Sequence, residues 1–346
     1  MTITLDDCLT AHEATGPIGA AVSATIRQLA AAALEVRDVV AAGLLQGEVG
    51  AIRSMHADGD VQKELDVITD EIFFRALAKA PVAAVASEER HEPVMLDPAA
   101  PLAVAIDPLD GSSNIETNVT IGSIFSILPM IADGEGGAAV SLLQPGRNQL
   151  AAGFFLYGPQ FALVLTLGAG TQIFVYSVRQ AAFVQARAGV QVPPRANEYA
   201  INASNYRHWD DPVRRYVDDC VAGAEGPHGQ DYNMRWVAAM VADAYRILLR
   251  GGVYIYPGDA RKGYAKGRLR LIYEASPIAM VIEQAGGRAT DCTESILDIV
   301  PTSLHQRVPL AFGSAAEVTR LADYHAESTP SAERMPLFGT RGLFRS

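Results

Sequence analysis

Asp107 and Asp110 stand three residues apart in the string Asp107-Pro108-Leu109-Asp110-Gly111-Ser112-Ser113-Asn114, directly after the apolar run 102–106. A short apolar run bounded by turn residues reads as a buried strand, here ending at Asp107. Two carboxylates at a strand end can converge on hard cations. Pro108 and Gly111 shape the turn between and after them. The Gly-Ser-Ser-Asn that follows offers backbone N–H groups and hydroxyls, a cradle for phosphate at a helix N-terminus. Carboxylates, cation and phosphate on one turn point to hydrolysis of phosphate esters. An Asp-x-x-Asp by itself is an ordinary acidic turn, whereas the full string after an apolar strand is far more specific.

Three further acidic positions could join it: Asp66, the pair Glu88-Glu89 after the run 82–86, and Glu274 after the run 269–273. Taken singly, Asp66 reads as a solvated helix-face carboxylate and Glu88-Glu89 as a charged turn. Glu274 alone reads as a carboxylate favoured at the N-terminus of the helix that Pro277 opens. Three of the four acidic positions nevertheless follow apolar strands, where open α/β sheets present their ligand crevice.

The elements that must position these groups are legible in outline. Residues 12–46 carry a helical stripe through Val22, Ile26, Leu29, Ala33 and Val36, and a second helix runs from Gly59-Asp60 to Pro81 with Leu65, Ile68, Ile72 and Leu77 on one side. Strands are expected over 82–86, 102–106, 121–131, 151–155, 161–167, 253–256 and 269–273, and helices over 236–249 and 277–285, each ending at a Gly-Gly pair. Pro193-Pro194 and the polar residues after it mark a boundary. The expected fold is α/β in two parts, 1–195 and 196–330, followed by a loosely held tail over 331–346.

Composition limits the function classes. The 346 residues are 49% hydrophobic and 19% charged, ordinary for a globular enzyme. A net charge of −11 argues against nucleic acid as partner. Cys8, Cys220 and Cys292 are widely spaced, which argues against a disulfide framework or a zinc site and fits a reducing compartment. The N-terminus lacks a signal-peptide pattern, and Glu35, Arg37 and Asp38 interrupt the apolar stretch 30–34, so a cytoplasmic protein with no membrane partner is expected.

From about Thr15 to Leu321 the chain resembles the class I fructose-1,6-bisphosphatases, within the lithium-sensitive sugar and inositol phosphatase superfamily. The resemblance rests on the Asp107–Asn114 string with Ile115, the Gly-Asp-x-x-x-x-Leu-Asp string over 59–66, and Ser87-Glu88-Glu89. It also rests on Pro145-Gly146-Arg147-Asn148, Met240-Val241-Ala242-Asp243, Tyr256-Pro257, the run 267–274, Glu283-Gln284-Ala285-Gly286-Gly287 and Leu304-His305-Gln306-Arg307. It implies a layered α-β-α-β-α sandwich with the active site between two domains, commonly in a homotetramer. By that likeness Glu88, Asp107, Asp110, Glu274 and the Leu109 carbonyl hold two or more Mg2+ per subunit, with Mn2+ as the alternative ion. Asp66 and Glu89 orient and deprotonate the attacking water. Asp110, Gly111, Ser112 and Ser113 meet the phosphate being hydrolysed. Asn202, Tyr206, Tyr256 and Arg268 match positions that hold the 6-phosphate and the sugar, and Arg235 matches one that reaches in from a neighbouring subunit. The implied substrate is a sugar bisphosphate, fructose 1,6-bisphosphate, with the segment 50–63 read as a loop that closes when metals bind.

The departures from the family pattern are local. Arg268 stands where most members have Lys, and Trp236 stands where many have Tyr, which keeps sedoheptulose 1,7-bisphosphate open as a second substrate. Pro101, Leu102 and Pro129 occupy positions where AMP-inhibited members carry Lys, Tyr and Arg, although Thr15-Gly16 is kept, so weak or absent AMP inhibition is expected. The stretch 133–143 has no cysteine, against the inserted redox loop of chloroplast members. An inositol monophosphatase or nucleotide 3′-phosphatase on the same fold is an alternative that the Ser-Ser-Asn-Ile spelling disfavours. A sugar-phosphate-binding regulator without catalysis is another, disfavoured by retention of the matched carboxylates.

Overall fold

The computed structural model describes residues 2–42, 52–55, 61–131 and 137–328. Gly59, Asp60, most of the expected closing loop over 50–63, residues 133–136 and the tail 331–346 lie outside the described residues. The first part runs through α1 (Leu5–Glu13), α2 (Pro17–Ala42), β1 (Ile52–Met55), β2 (Val61–Lys63), α3 (Glu64–Leu77), β3 (Val82–Ser87), β4 (Val94–Met95), β5 (Leu102–Asp110), β6 (Ile121–Pro129), α4 (Gly137–Leu142), β7 (Ala151–Tyr157), β8 (Phe161–Thr166), β9 (Thr171–Ser177) and β10 (Ala182–Val190). The second comprises β11 (Glu198–Ala200), α5 (Asp211–Ala222), β12 (Asn233–Met234), α6 (Met240–Arg250), β13 (Val253–Tyr256), β14 (Leu269–Arg270), α7 (Ser276–Gln284), β15 (Arg288–Thr290), β16 (Arg307–Val308), β17 (Leu310–Gly313) and α8 (Ala315–Ser328).

Strands β10-β9-β8-β7-β6-β5-β3-β4 form one eight-stranded sheet, β12-β11-β13-β17-β15 a five-stranded one, and β1-β2 and β14-β16 two short ribbons. Three apolar cores stack these sheets with the helices. The first lies between one face of the large sheet (Val104, Ile106, Phe125, Phe155) and Leu9, Ile26, Leu29 and Phe73 of α1 to α3. The second joins the other face (Ile124, Phe154, Val164) to Val241, Ile247, Ile278 and Val281 of α6 and α7, and through them to Tyr254 and Phe312 of the small sheet. The third covers the far face of the small sheet, where Val253, Ile255 and Ala311 meet Val213, Tyr216, Val318 and Leu321 of α5 and α8. Helix, sheet, helix, sheet, helix is the expected five-layer sandwich. Its strands obey the two-residue period: Leu102, Val104 and Ile106 of β5 enter the first core, and Ala103 and Ala105 the second. Alanines on the inner side of β5 let α4 and the turn Leu271–Ala275 approach closely.

Helix α2 is long and apolar enough to cross a bilayer by length and composition. Here Val22, Ile26, Leu29, Ala33 and Val36, the stripe read from the sequence, lie fully within the first core. The stretch 12–46 contains the end of α1 as well as α2, split at Gly16, whose φ of +126 no helix admits. Three other expectations are corrected. The helix expected from Gly59-Asp60 begins only at Glu64, after the strand β2, and ends at Leu77. The strand over 269–273 stops at Arg270, and Leu271–Ala275 form one wide helical turn leading into α7. All of 269–282 is buried, so no alternation distinguishes strand from helix in that run. The helix expected from Trp236 starts at Met240, because Ala238 is left-handed (φ +64) and Trp236 is stacked on Tyr254 instead.

Candidate active site

Asp107 and Asp110 are an odd number of residues apart, and in a regular strand their side chains would face opposite sides of the sheet. They do not, because β5 bulges. Asp107 pairs with Ile124 and Asp110 with Gly122, so β5 spends three steps where β6 spends two. The extra residue returns Asp110 to the inner face while Leu109 packs into the first core. Pro108 suits the bulge, having no N–H to leave unpaired. Its carbonyl accepts a 2.7 Å hydrogen bond from the Ser123 hydroxyl.

At this strand end the carboxylate oxygens of Glu88, Asp107 and Glu274 lie within 4.8 Å of one another. Glu88 follows β3, the parallel neighbour of β5, and Glu274 comes from the wide turn before α7. The Leu109 N–H donates to Asp107 Oδ1 at 2.9 Å, and the Arg270 N–H donates to Glu274 Oε2 at 2.5 Å. The buried Arg270 guanidinium sits 3.6 Å from Glu88 Oε1. Burial pushes Asp107 well above the ordinary aspartate range, and the charges of Glu88, Glu274 and Asp110 push it further. Burial followed by Glu88 does the same to Glu274. Convergent, mutually repelling carboxylates with oxygen donors only fit a hard divalent ion such as magnesium or manganese.

Asp110 lies beside this trio but faces α6. Its Oδ2 accepts the Val241 N–H at 2.8 Å, so the strand supplies the cap that Ala239 cannot. Burial raises Asp110 to about 6, with the N–H groups of Val241 and Met240 holding it down. Gly111 then turns the chain with φ +81, and a Cβ there would sit 2.6 Å from that of Ala239. Ser112 to Asn114 form a short helical turn, and the Asn114 amide donates to the Val237 carbonyl at 3.0 Å. The phosphate-cradle residues are thereby clamped to the segment that starts α6.

Asp66 is buried in the first turn of α3 rather than solvated. One turn on, on the same face, Asp70 accepts a 2.7 Å ion pair from Arg90, directly after Glu88-Glu89. The Arg90 guanidinium covers Phe74 of α3 at 3.7 Å. His305 bonds the Arg90 carbonyl through Nε2 at 2.9 Å. Asp70, Phe74 and Arg90 escaped the sequence reading. Arg90 beside two glutamates and the four-residue spacing of Asp66 and Asp70 were the available signals.

At the other end, Asn202 and Tyr256 line one narrow pocket with Asn205, Trp209 and Arg261. Arg268 donates to the Tyr264 hydroxyl at 2.6 Å, and Arg261 covers the same ring at 4.1 Å. Asn205, Arg261 and Tyr264 were likewise not read from the sequence. Tyr206 is not a lining residue of that pocket; its hydroxyl donates to Asp218 at 2.9 Å. Arg235 is half exposed, with Glu198 at 3.8 Å. β14 joins the two ends, with Arg268 just before it and Arg270 closing it beside Glu88 and Glu274.

Comparison with known proteins gives this geometry a family. Residues 3–188 match the model of the fructose-1-6-bisphosphatase N-terminal domain, and residues 192–326 that of the C-terminal domain. The chain is 58% identical over 326 residues to the fructose-1,6-bisphosphatase class 1 of Sinorhizobium medicae, covering 94% of this chain and 93% of that one. It is 54% identical to the protein of that name from Methylorubrum populi, over 99% of this chain and 98% of the other. Its fold superposes on the crystal structure of Leishmania major fructose-1,6-bisphosphatase in holo form with a TM-score of 0.87 and 30% identity, covering 94% of this chain and 99% of that one. Carboxylates gathered at a bulged strand end, a five-layer sandwich and these likenesses together make the chain a member of the class I fructose-1,6-bisphosphatase family.

Proposed function

We propose that the chain hydrolyses the 1-phosphate of fructose 1,6-bisphosphate, releasing fructose 6-phosphate and phosphate. The observation that carries this is the Glu88, Asp107 and Glu274 cluster beside the Gly111-Ser112-Ser113 turn at the head of α6. Magnesium or manganese, two or more per subunit, would be held by these three carboxylates with Asp110 and the Leu109 carbonyl, and would supply charge neutralisation and a more acidic water. Asp66 and Glu89 would orient the attacking water and take its proton. Gly111, Ser112 and Ser113 hold the departing phosphate by N–H and hydroxyl donors. Asn202, Tyr206, Tyr256 and Arg268 bind the 6-phosphate and sugar, and Arg235 completes the site of a neighbouring subunit in a tetramer. In this reading residues 1–195 carry the metals and 196–330 the sugar phosphate, in a cytoplasmic enzyme.

A second substrate, sedoheptulose 1,7-bisphosphate, is favoured by one observation. Trp236 lies stacked 5.6 Å from Tyr254 and 6.1 Å from Tyr256, giving the sugar end an aromatic wall where a tyrosine hydroxyl is usual. Phosphate release from both bisphosphates, each with magnesium or EDTA, tests the proposal. Magnesium-dependent release from the fructose ester supports it, and the ratio of kcat/KM values fixes the preference. Release from inositol or nucleotide phosphates alone would overturn it.

A further inference from the structure

The segment 257–268, which joins β13 to β14, holds Asp259, Arg261, Tyr264 and Arg268 in one chain of contacts. Asp259, whose side chain is 4% exposed, has both oxygens 3.0 Å from Arg261 Nε and also pairs with its Nη2. The Arg261 fork is occupied by that carboxylate, and its guanidinium lies over the Tyr264 ring at 4.1 Å. Arg268 stands 4.9 Å from the same ring and donates through Nη1 to the Tyr264 hydroxyl at 2.6 Å. Tyr264 is thus braced by an arginine that a carboxylate pins, and itself grips the arginine assigned above to the 6-phosphate.

The backbone holds the ring in place as well. The Tyr264 carbonyl accepts the N–H groups of Asp259 at 3.1 Å and Gly267 at 2.9 Å, and the Tyr264 N–H donates to the Arg261 carbonyl at 3.0 Å. The segment folds back so closely that a Cβ on Gly258 would sit 2.5 Å from the Ala265 carbonyl oxygen. It borders the sugar end, where Arg261 lines the narrow pocket with Asn202 and Tyr256. Burial raises the Tyr256 hydroxyl and the charge of Arg268 pulls it back, which sets Arg268 beside the same tyrosine. An arginine side chain that samples many rotamers must give them up on binding a phosphate. A hydroxyl and a ring that hold the guanidinium beforehand lower that cost. We infer that Tyr264 is a positioning residue for Arg268, setting its guanidinium for the distal phosphate, and thereby a determinant of the preference for sugar bisphosphates over monophosphates. This rests on the reading that Arg268 meets the 6-phosphate.

Fructose 1-phosphate has the reacting phosphate but not the distal one. The ratio of kcat/KM for fructose 1,6-bisphosphate to kcat/KM for fructose 1-phosphate therefore isolates the distal contact. At saturating magnesium this ratio should fall about fivefold in Tyr264→Phe, which keeps the ring and loses the hydroxyl bond to a charged group. It should fall about twentyfold in Tyr264→Ala, which loses the cation–π contact too. Inhibition by the product fructose 6-phosphate, which carries only the distal phosphate, should weaken in the same order. Arg268→Ala should lower the ratio at least as far, and Tyr264→Ala/Arg268→Ala no further than Arg268→Ala alone, because Tyr264 acts through Arg268. A ratio unchanged in both Tyr264 variants while Arg268→Ala lowers it would overturn the inference and leave the role of Arg268 standing. Equal losses on both substrates would overturn it as well, since Tyr264 would then only hold the segment together. An unchanged ratio in Arg268→Ala would overturn the reading of Arg268, and this inference with it.

Discussion

At the scale of single residues, the carboxylates at the end of β5 trade stability for cation binding. Asp107 and Glu274 are buried within reach of Glu88, and each is pushed up by burial and by the others' charge. Removing one of these charges relieves repulsion while it removes a proposed ion ligand. Asp107→Asn is therefore expected to lower kcat about a hundred- to a thousandfold, the range seen when a group stabilising transition-state charge is lost. In EDTA the same variant should melt at a temperature equal to or above that of the parent, and magnesium should stabilise it less. Phosphate release together with thermal melts with and without magnesium checks both. A variant that loses activity and also melts lower in EDTA would mean that Asp107 is a structural residue. Neighbouring Asp66 teaches a different lesson about legibility. Its helical position could be read from the sequence, yet alone it looked solvated; in the fold it is buried on α3, one turn before the Asp70 that pairs with Arg90.

At the scale of elements, the bulge in β5 explains why the Asp-x-x-Asp spacing works, and a single deleted residue there would send one carboxylate to the far face of the sheet. Asp110 is tied to two elements at once, ending β5 and capping α6. Its pH dependence follows from burial. Raised to about 6 in the folded protein, against the ordinary value near 4 in the unfolded chain, Asp110 keeps a proton that the unfolded state has released across that interval. Its contribution to stability is thus largest at the acidic end, falls as pH rises from about 4 to about 6, and stays low above that. Asp110→Asn, which keeps an oxygen acceptor for the Val241 N–H, should remove this segment of the slope. The melting temperature of the variant relative to the parent in EDTA should therefore climb across the interval, whereas magnesium should shrink the difference at neutral pH. A difference that is flat with pH would show that Asp110 ionises normally. The wide turn over Leu271–Ala275 was not legible, since an unbroken buried run carries no period and its function lies in placing Glu274 beside Glu88. The glycine and proline stops, by contrast, carried reliable information, because they act through local backbone geometry alone.

At the scale of the molecule, the α/β class followed from the alternation of apolar strands and helices, the five-layer sandwich came with the family resemblance, and the pairing of distant segments followed from neither. Neither Tyr264 between Arg261 and Arg268 nor Arg90 between Asp70 and Phe74 is signalled by a local pattern, because each contact is made only when separate layers meet. One absence, however, is a property of the sequence that the fold makes sharper. Leu102 and Pro129 stand where AMP-inhibited relatives of this fold carry Tyr and Arg, and here they are direct cross-strand partners at the start of β5 and the end of β6. Pro101 precedes them, and Leu102 is fully buried against the helical layer of α1 to α3. This corner therefore offers an apolar side chain and two prolines, none of which can pair with a nucleotide phosphate. Thr15 survives between α1 and α2, but its hydroxyl donates to the His12 carbonyl at 2.7 Å. An anion brought here would be desolvated without charged partners, which costs several kcal/mol for an ionised group (roughly 3–5 even in favourable protein settings). AMP is accordingly expected to leave phosphate release unchanged at concentrations that saturate AMP-sensitive relatives. Titrating AMP into the fructose 1,6-bisphosphate assay at fixed magnesium decides it. Half-inhibition at low micromolar AMP, competitive with neither substrate nor metal, would show that this chain has built a nucleotide site from other residues. A flat titration would assign any control of this enzyme to a different effector and a different face of the sandwich.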